Sequence, residues 1–274
     1  MTEMPIEITQ GFVCSGGEAI YYESAGQGDA IIFCHGMGGN HASWFEQVPV
    51  FAQTYRTITW DQRGFGRSTH HGGPTHPTLA TCDLKTLLDE LEIPRAHLVG
   101  QSMGGWPIVG LALACPERVQ SLVLADTFAG IYTAEIEQGF THLVQQVETS
   151  PPRMLLGHHP ALGLALTPCN IVRVYLYQQL SSFGEPPAVS AMYKALQQVS
   201  YPHEALKKLT CPVLCLVGSE DPLNLPAWSR QVAAVLPNAQ VVEIPSGGHS
   251  PYFEDSQTWN QIVLDFLAGI RSPA

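Results

Sequence analysis

Arg95-Ala96-His97-Leu98-Val99-Gly100-Gln101-Ser102-Met103-Gly104-Gly105-Trp106 runs from a short apolar strand signal, through a serine between two glycines, into an apolar stretch that continues to Cys115. A serine at such a strand-to-helix junction is held in a sharp turn with its hydroxyl exposed. Side chains two residues before and two after it would collide with the neighbouring backbone, and Gly100 and Gly104 remove them. This is the G-x-S-x-G nucleophile elbow. Glycines also flank serines in ordinary turns, so the reading draws its weight from the flanking strand and helix and from partners further along. Pro107, in the second turn counted from the serine, removes a donor and predicts an irregular helix start.

Around this point the chain alternates strands and helices. Ile6–Val13 and Ala19–Ser24 read as strands joined by the turn Ser15-Gly16-Gly17. Ala30–Cys34, Thr57–Trp60, His97–Val99, Ser121–Ala125, Val213–Val217 and Val241–Ile244 complete the series as buried-type strands, as in a parallel sheet covered on both faces. Apolar residues at 84, 87, 88 and 91 mark an amphipathic helix, and Ser256–Gly269 carries Trp259, Val263 and Phe266 on one face. An antiparallel start followed by strand–helix repetition is an α/β sandwich. One stretch breaks the rhythm. From Ile131 to about Ala205 only helical faces recur, around Ile136–Val147, Ile171–Leu180 and Val189–Val199, punctuated by Pro151-Pro152 and Pro186-Pro187. It reads as a helical lid (131–205) between the sixth and seventh strands of a core made of 1–130 and 206–274.

The 274 residues, 45% of them hydrophobic and 14% charged, suffice for one sizeable α/β domain with an insertion. A net charge of −11 argues against nucleic acid or an anionic membrane surface as partner. No apolar run reaches the length of a membrane span, and Met1–Pro5 lacks the basic and apolar regions of a signal peptide. Seven cysteines at scattered spacings, without a C-x-x-C pair, read as reduced thiols. These features predict a cytoplasmic protein and leave a homo-oligomer open.

A serine hydroxyl needs a base within hydrogen-bond reach, itself oriented by an acid. Of eleven histidines, His249 in Ser246-Gly247-Gly248-His249 follows the last strand directly. Asp221, in Gly218-Ser219-Glu220-Asp221-Pro222, follows the seventh strand and is the preferred acid. Glu220 beside it and Asp126 after the sixth strand stay open as rivals. All these residues lie just past a strand, where loops converge at the outer end of an open sheet. An oxyanion would need two backbone N–H donors. Met103, opening the helix after the serine, and Met37, in the glycine-rich His35-Gly36-Met37-Gly38-Gly39, are the candidates, and both side chains are expected to line the pocket. No lysine follows these glycines, so a phosphate loop fits poorly.

Taken together, His35–Gly39, Asp61-Gln62-Arg63-Gly64-Phe65-Gly66-Arg67-Ser68, Gly100–Gly104, Gly218–Asp221 and Gly247-Gly248-His249 resemble the α/β-hydrolase superfamily, in its capped esterase, lactonase and carbon–carbon hydrolase branch. The resemblance implies a mostly parallel eight-stranded sheet flanked by helices, with a helical lid after the sixth strand. It implies a serine hydrolase that needs no cofactor and cleaves small, largely apolar esters or lactones, with Ser102, His249 and Asp221 as nucleophile, base and acid. Serine at 102 departs from the dehalogenase and epoxide-hydrolase branches, which use aspartate there. Carbon–carbon cleavage of ring-fission diketones is the alternative, although that branch often carries tryptophan after the histidine and here Ser250 follows. A perhydrolase side activity would use the same residues, and low-turnover ligand binding by the same fold is the reading from outside enzymes.

Other residues read more plainly. The Asp61–Ser68 segment looks structural, with Asp61 and Arg63 tying the loop down. His35 is expected to hold the loop after the third strand. His70, His71 and His76 lack nearby ligands at zinc spacing and read as a solvated loop rather than a metal site, and His158-His159 as a pocket rim. Arg153 and Arg173 are the arginines of the insertion, read first as surface residues and otherwise as binders of a substrate carboxylate.

Overall fold

The structure, a computed structural model, describes residues 5–72, 75–150, 155–163, 166, 170–184 and 187–270. Gly16 and Gly17 both take positive φ (58° and 85°), the left-handed turn that a two-residue hairpin needs. They join β1 (Ile8–Ser15) antiparallel to β2 (Glu18–Ala25). The further strands are β3 (Ala30–Cys34), β4 (Arg56–Trp60), β5 (Ala96–Gln101), β6 (Val119–Ala125), β7 (Val213–Gly218) and β8 (Ala239–Ile244). They form one eight-stranded sheet in the order β1-β2-β4-β3-β5-β6-β7-β8. From β4 to β8 every neighbouring pair is parallel, while β2 meets β4 antiparallel.

Helices cover both faces: α1 (Val48–Phe51), α2 (Pro77–Glu90), α3 (Gly105–Ala114), α4 (Ala134–Thr149), α5 (Ile171–Ser181), α6 (Val189–Gln197), α7 (His203–Leu206), α8 (Pro226–Val235), α9 (Pro251–Glu254) and α10 (Ser256–Ile270). Side chains alternate across each strand, so the sheet divides the interior in two. Ile32, Leu98, Leu122 and Val213 face one way, against Leu84, Leu87, Ile108 and Val232 of α2, α3 and α8. Ile31, Val99, Val123 and Leu214 face the other, against Phe51, Trp259, Val263 and Leu267 of α1 and α10. Burying each large apolar side chain contributes about 1.5–3 kcal/mol relative to exposure. The edge strands depart from the buried pattern. Ile8 and Phe12 of β1 are exposed, and in β8 only Ile244 is fully buried, because an edge strand has a neighbour on one side only.

Between β6 and β7 lie α4 to α7. Phe140 of α4 and Met192 and Leu196 of α6 join the first core, whereas Val174 and Tyr177 of α5 join the second. This segment therefore straddles the outer end of the sheet. Asn40 fixes α5 there by donating from Nδ2 to the Leu180 carbonyl at 2.7 Å. Arg173 is not a pocket residue: it pairs with Glu46, donates to the Phe253 carbonyl and stacks over the Phe253 ring. Arg153 and Pro186 lie outside the described residues, as do Pro151-Pro152. No helix among the described residues is long and apolar enough to cross a membrane.

The loop after β4 is held by charge. Asp61 accepts from the His41 and Arg67 amides and from His41 Nδ1, while the Arg63 guanidinium grips both oxygens of Asp83, a buried residue of α2. Arg63→Met should cost about 3–5 kcal/mol, because the buried Asp83 carboxyl would lose its ion-pair partner. Urea unfolding checks this; a loss under 1 kcal/mol would mean that water reaches the carboxylate. His71 pairs with Glu18, and His76 caps α2 by accepting from the Thr78 amide.

Candidate active site

Ser102 is the first residue after β5 and takes φ = 50°, in the left-handed region. Such a conformation costs a non-glycine residue about 1–3 kcal/mol and persists only where the surroundings impose it. Those surroundings are tight. A Cβ at Gly100 would overlap the Gly104 carbonyl, and one at Gly104 would overlap the carbonyl of Cys34 on β3. A single 3₁₀ turn, Ser102–Gly104, follows and only then does α3 begin. Pro107 thus falls in the first α-helical turn, where a missing N–H is harmless, and the irregularity precedes it.

The turn presents Ser102 Oγ to a cavity of about 460 Å³ at the outer end of the parallel strands. His249 Nε2 lies 2.9 Å from Oγ, and His249 Nδ1 lies 2.8 and 3.0 Å from the two oxygens of Asp221. The structure thus joins the three residues in one hydrogen-bonded chain, with Asp221 and His249 buried. Asp221 Oδ1 also accepts from the amides of Leu223 and Asn224, at 2.8 and 2.9 Å. Glu220 is exposed on the same loop. Asp126 is fully buried beside Asp221, with Oδ1 accepting the Gly218 amide at 2.9 Å.

Two residues that sequence reading missed hold this geometry. Glu254 accepts from the amides of Gly248 (3.0 Å) and Ser250 (3.0 Å), on either side of His249, and from that of Gly163 (2.8 Å). Gln101 donates to the His249 carbonyl at 2.8 Å. Neither forms a motif, because both act on backbone that is remote in sequence or looped back in space.

His35 is buried and bridges the turn after β3 to the loop after β4. Its Nε2 accepts the Gln62 amide at 3.0 Å, so Nδ1 carries the proton and donates to the Gly36 carbonyl at 2.7 Å. Burial pushes its pKa below that of a free imidazole, which keeps this tautomer neutral. Gly36 backs directly onto the elbow: a Cβ there would lie 3.1 Å from Ser102 Cβ. The side chains of Met37 and Met103 part company. Met37 lines the main cavity; Met103 is buried in a small separate pocket with Phe65, Ala80 and Met192. Successive residues of a 3₁₀ turn point about 120° apart, so the turn that aims Ser102 outward aims Met103 into the core.

Trp106 and Phe128 from the core and Phe140, Val147 and Tyr193 from the segment between β6 and β7 wall the cavity, and no lysine or arginine lines it among the described residues. His158 and His159 line it as well. His159 accepts the Ala161 amide at Nδ1 (3.1 Å) and packs edge-on against Tyr177, and burial first, then His158 and His249, lower its pKa to about 4. Tyr175 and Phe183 point outward and are exposed.

An eight-stranded sheet of this order, with a strained serine after β5 and a histidine after β8, defines a class of enzyme. The chain belongs to the α/β-hydrolase family: the family model for the alpha/beta hydrolase fold matches residues 29–256. It is 30% identical to a Mycobacterium tuberculosis protein named as a non-heme bromoperoxidase, BpoC, over 92% of this chain and 98% of that one. It is 27% identical to the 3-oxoadipate enol-lactonase 2 of Acinetobacter baylyi, over 95% of this chain and 97% of that one. Among solved structures, a thermophilic esterase from Thermogutta terrifontis superposes with a TM-score of 0.81 at 23% identity, covering 97% of this chain and all of that one (100%). The chain is an enzyme of the α/β-hydrolase fold.

Proposed function

We propose that this enzyme is a serine hydrolase that cleaves small, largely apolar carboxylic esters or lactones through an acyl-enzyme. The observation that carries the reading is the unbroken chain from Ser102 Oγ through His249 to Asp221, opening into a largely apolar cavity that no lysine or arginine lines among the described residues. Ser102 Oγ attacks the acyl carbon as His249 Nε2 takes its proton. Asp221 holds the Nδ1–H tautomer and stabilises the imidazolium. The amides of Met37 and Met103 receive the oxyanion, the latter helped by the N-terminal end of α3. The imidazolium then protonates the leaving alkoxide, and a water deprotonated by His249 hydrolyses the acyl-enzyme. Residues 131–205 act as the lid: Phe140, Val147 and Tyr193 supply apolar wall that the core alone would leave open.

A cavity of this size lies within the range that encloses small organic ligands. Each methylene of the acyl chain that it buries should raise kcat/KM by about fourfold. Hydrolysis of p-nitrophenyl acetate, butanoate and octanoate tests this. A rise with chain length followed by a fall where the chain meets the wall is expected. A flat series would overturn the apolar-acyl reading, and no turnover of any of them would turn attention to carbon–carbon substrates.

A further inference from the structure

Asp126 is a buried acid for which the mechanism above has no use. It follows β6 immediately, takes φ = 52° and is anchored by its own amide, which donates to the Leu216 carbonyl at 2.8 Å. Its carboxyl is wholly buried. Oδ1 accepts the Gly218 amide, but Oδ2, equally buried, meets no donor among the described residues. What faces it is acidic. Asp221 stands beside it on the loop after β7, Glu254 approaches from α9 with the Tyr252 phenol, and His249 lies beyond Asp221. A second carboxylate here would be a buried charge without a counter-charge, next to another of the same sign. Two carboxyl groups that share a site hold one proton between them. An oxygen that finds no donor but stands beside an acceptor is satisfied once it becomes a donor itself.

We infer that Asp126 carries a proton and donates a hydrogen bond from Oδ2 to the Asp221 carboxylate, as a positioning residue behind the Ser102–His249–Asp221 chain. The inference rests on the role proposed above for Asp221. Burial and the neighbouring Asp221 both push the Asp126 carboxyl well above the usual carboxylate range. The pair then bears one negative charge, matched to the one positive charge that His249 acquires during turnover. The extra donor also holds Asp221 facing the imidazole. It completes a set already made of the Leu223 and Asn224 amides and His249 Nδ1.

The test separates donor from charge. Asp126→Asn keeps the shape: its carbonyl still accepts the Gly218 amide and its NH2 donates to Asp221. Asp126→Leu removes the donor. With p-nitrophenyl butanoate, the leucine variant should lose roughly 10- to 100-fold in kcat with little change in KM, and asparagine should restore most of it. The acid limb of the kcat/KM profile should stay in place in Asp126→Asn. If Asp126 were ionised, losing its charge would move that limb to lower pH and overturn the inference. A loss in Asp126→Asn as large as in Asp126→Leu would overturn it too. Infrared spectroscopy reads the proton without relying on activity or on the leucine variant folding. The carbonyl stretch of a buried protonated acid should be present in the wild type and in Ser102→Ala, and absent from Asp126→Asn. Its absence from the wild type would sink the inference while leaving the proposed hydrolase intact. Its presence in an enzyme that turns over no ester would sink the hydrolase reading alone.

Discussion

Ser102→Ala should lower kcat for ester hydrolysis by on the order of 10⁶-fold, while the protein unfolds at nearly the wild-type temperature. In the proposed mechanism the hydroxyl oxygen attacks the acyl carbon, so nothing else in the cavity substitutes for it. His249 would stay hydrogen-bonded to Asp221 and the proposed oxyanion donors, the Met37 and Met103 amides, would stay in place, which leaves a residual acceleration over water of roughly 10³- to 10⁴-fold. Stability should barely move, since alanine at φ = 50° is strained about as much as serine and the close approaches of the turn are made at Gly100 and Gly104, which the substitution leaves alone. Single-turnover kinetics with p-nitrophenyl butanoate and a thermal melt make the comparison. A variant that keeps even a hundredth of the activity would rule out Ser102 as nucleophile.

Asp221→Asn should lower kcat by about 10⁴-fold without disturbing the fold, for a reason that the neighbouring amides supply. Two backbone N–H groups, of Leu223 and Asn224, point at Oδ1. An asparagine would turn its carbonyl to them and present its NH2 to His249 Nδ1. That nitrogen would then have to accept, the ring proton would move to Nε2, and Nε2 could no longer take the proton of Ser102. Asp221→Ala, with no such clash of donors, should be less uniform in its pH dependence and recover part of its activity as pH rises. Measuring both across the pH range distinguishes a wrong tautomer from a lost charge. Equal, modest losses in the two would mean that Asp126, not Asp221, orients the imidazole.

Much of this fold could be read in the chain because its signals are local. The continuous apolar runs at Ala30–Cys34 and Val213–Val217 leave no polar face, so both are interior strands. Boundaries moved by one or two residues where polar groups take part in pairing, as at Arg56 of β4 and Gln101 of β5. The one strand misread in character was β8: Val241, Val242 and Ile244 look like an interior strand, yet β8 lies at the sheet edge. Strand order is a property of the whole sheet, and a single segment does not carry it.

The same division runs through the site. The elbow, the glycine turn after β3 and the histidine after β8 were all visible, because each depends on what the backbone can do within five or so residues. For the acid, the sequence favoured Asp221 but left Asp126 and Glu220 open as rivals. All three follow strands, and only their positions in space distinguish a carboxylate at 2.8 Å from the imidazole, one exposed to solvent and one sealed in the interior. The direction of the Met103 side chain, the grip of Glu254 on the His249 loop and the partners of Arg173, Glu46 and the Phe253 carbonyl, were decided in the same way. Sequence by itself determined where the chain turns sharply and which residues are candidates for chemistry there, since steric exclusion around a serine acts over adjacent residues. Tertiary structure alone decided which acid stands against the imidazole, because that depends on how the loops after β6, β7 and β8 come together in space.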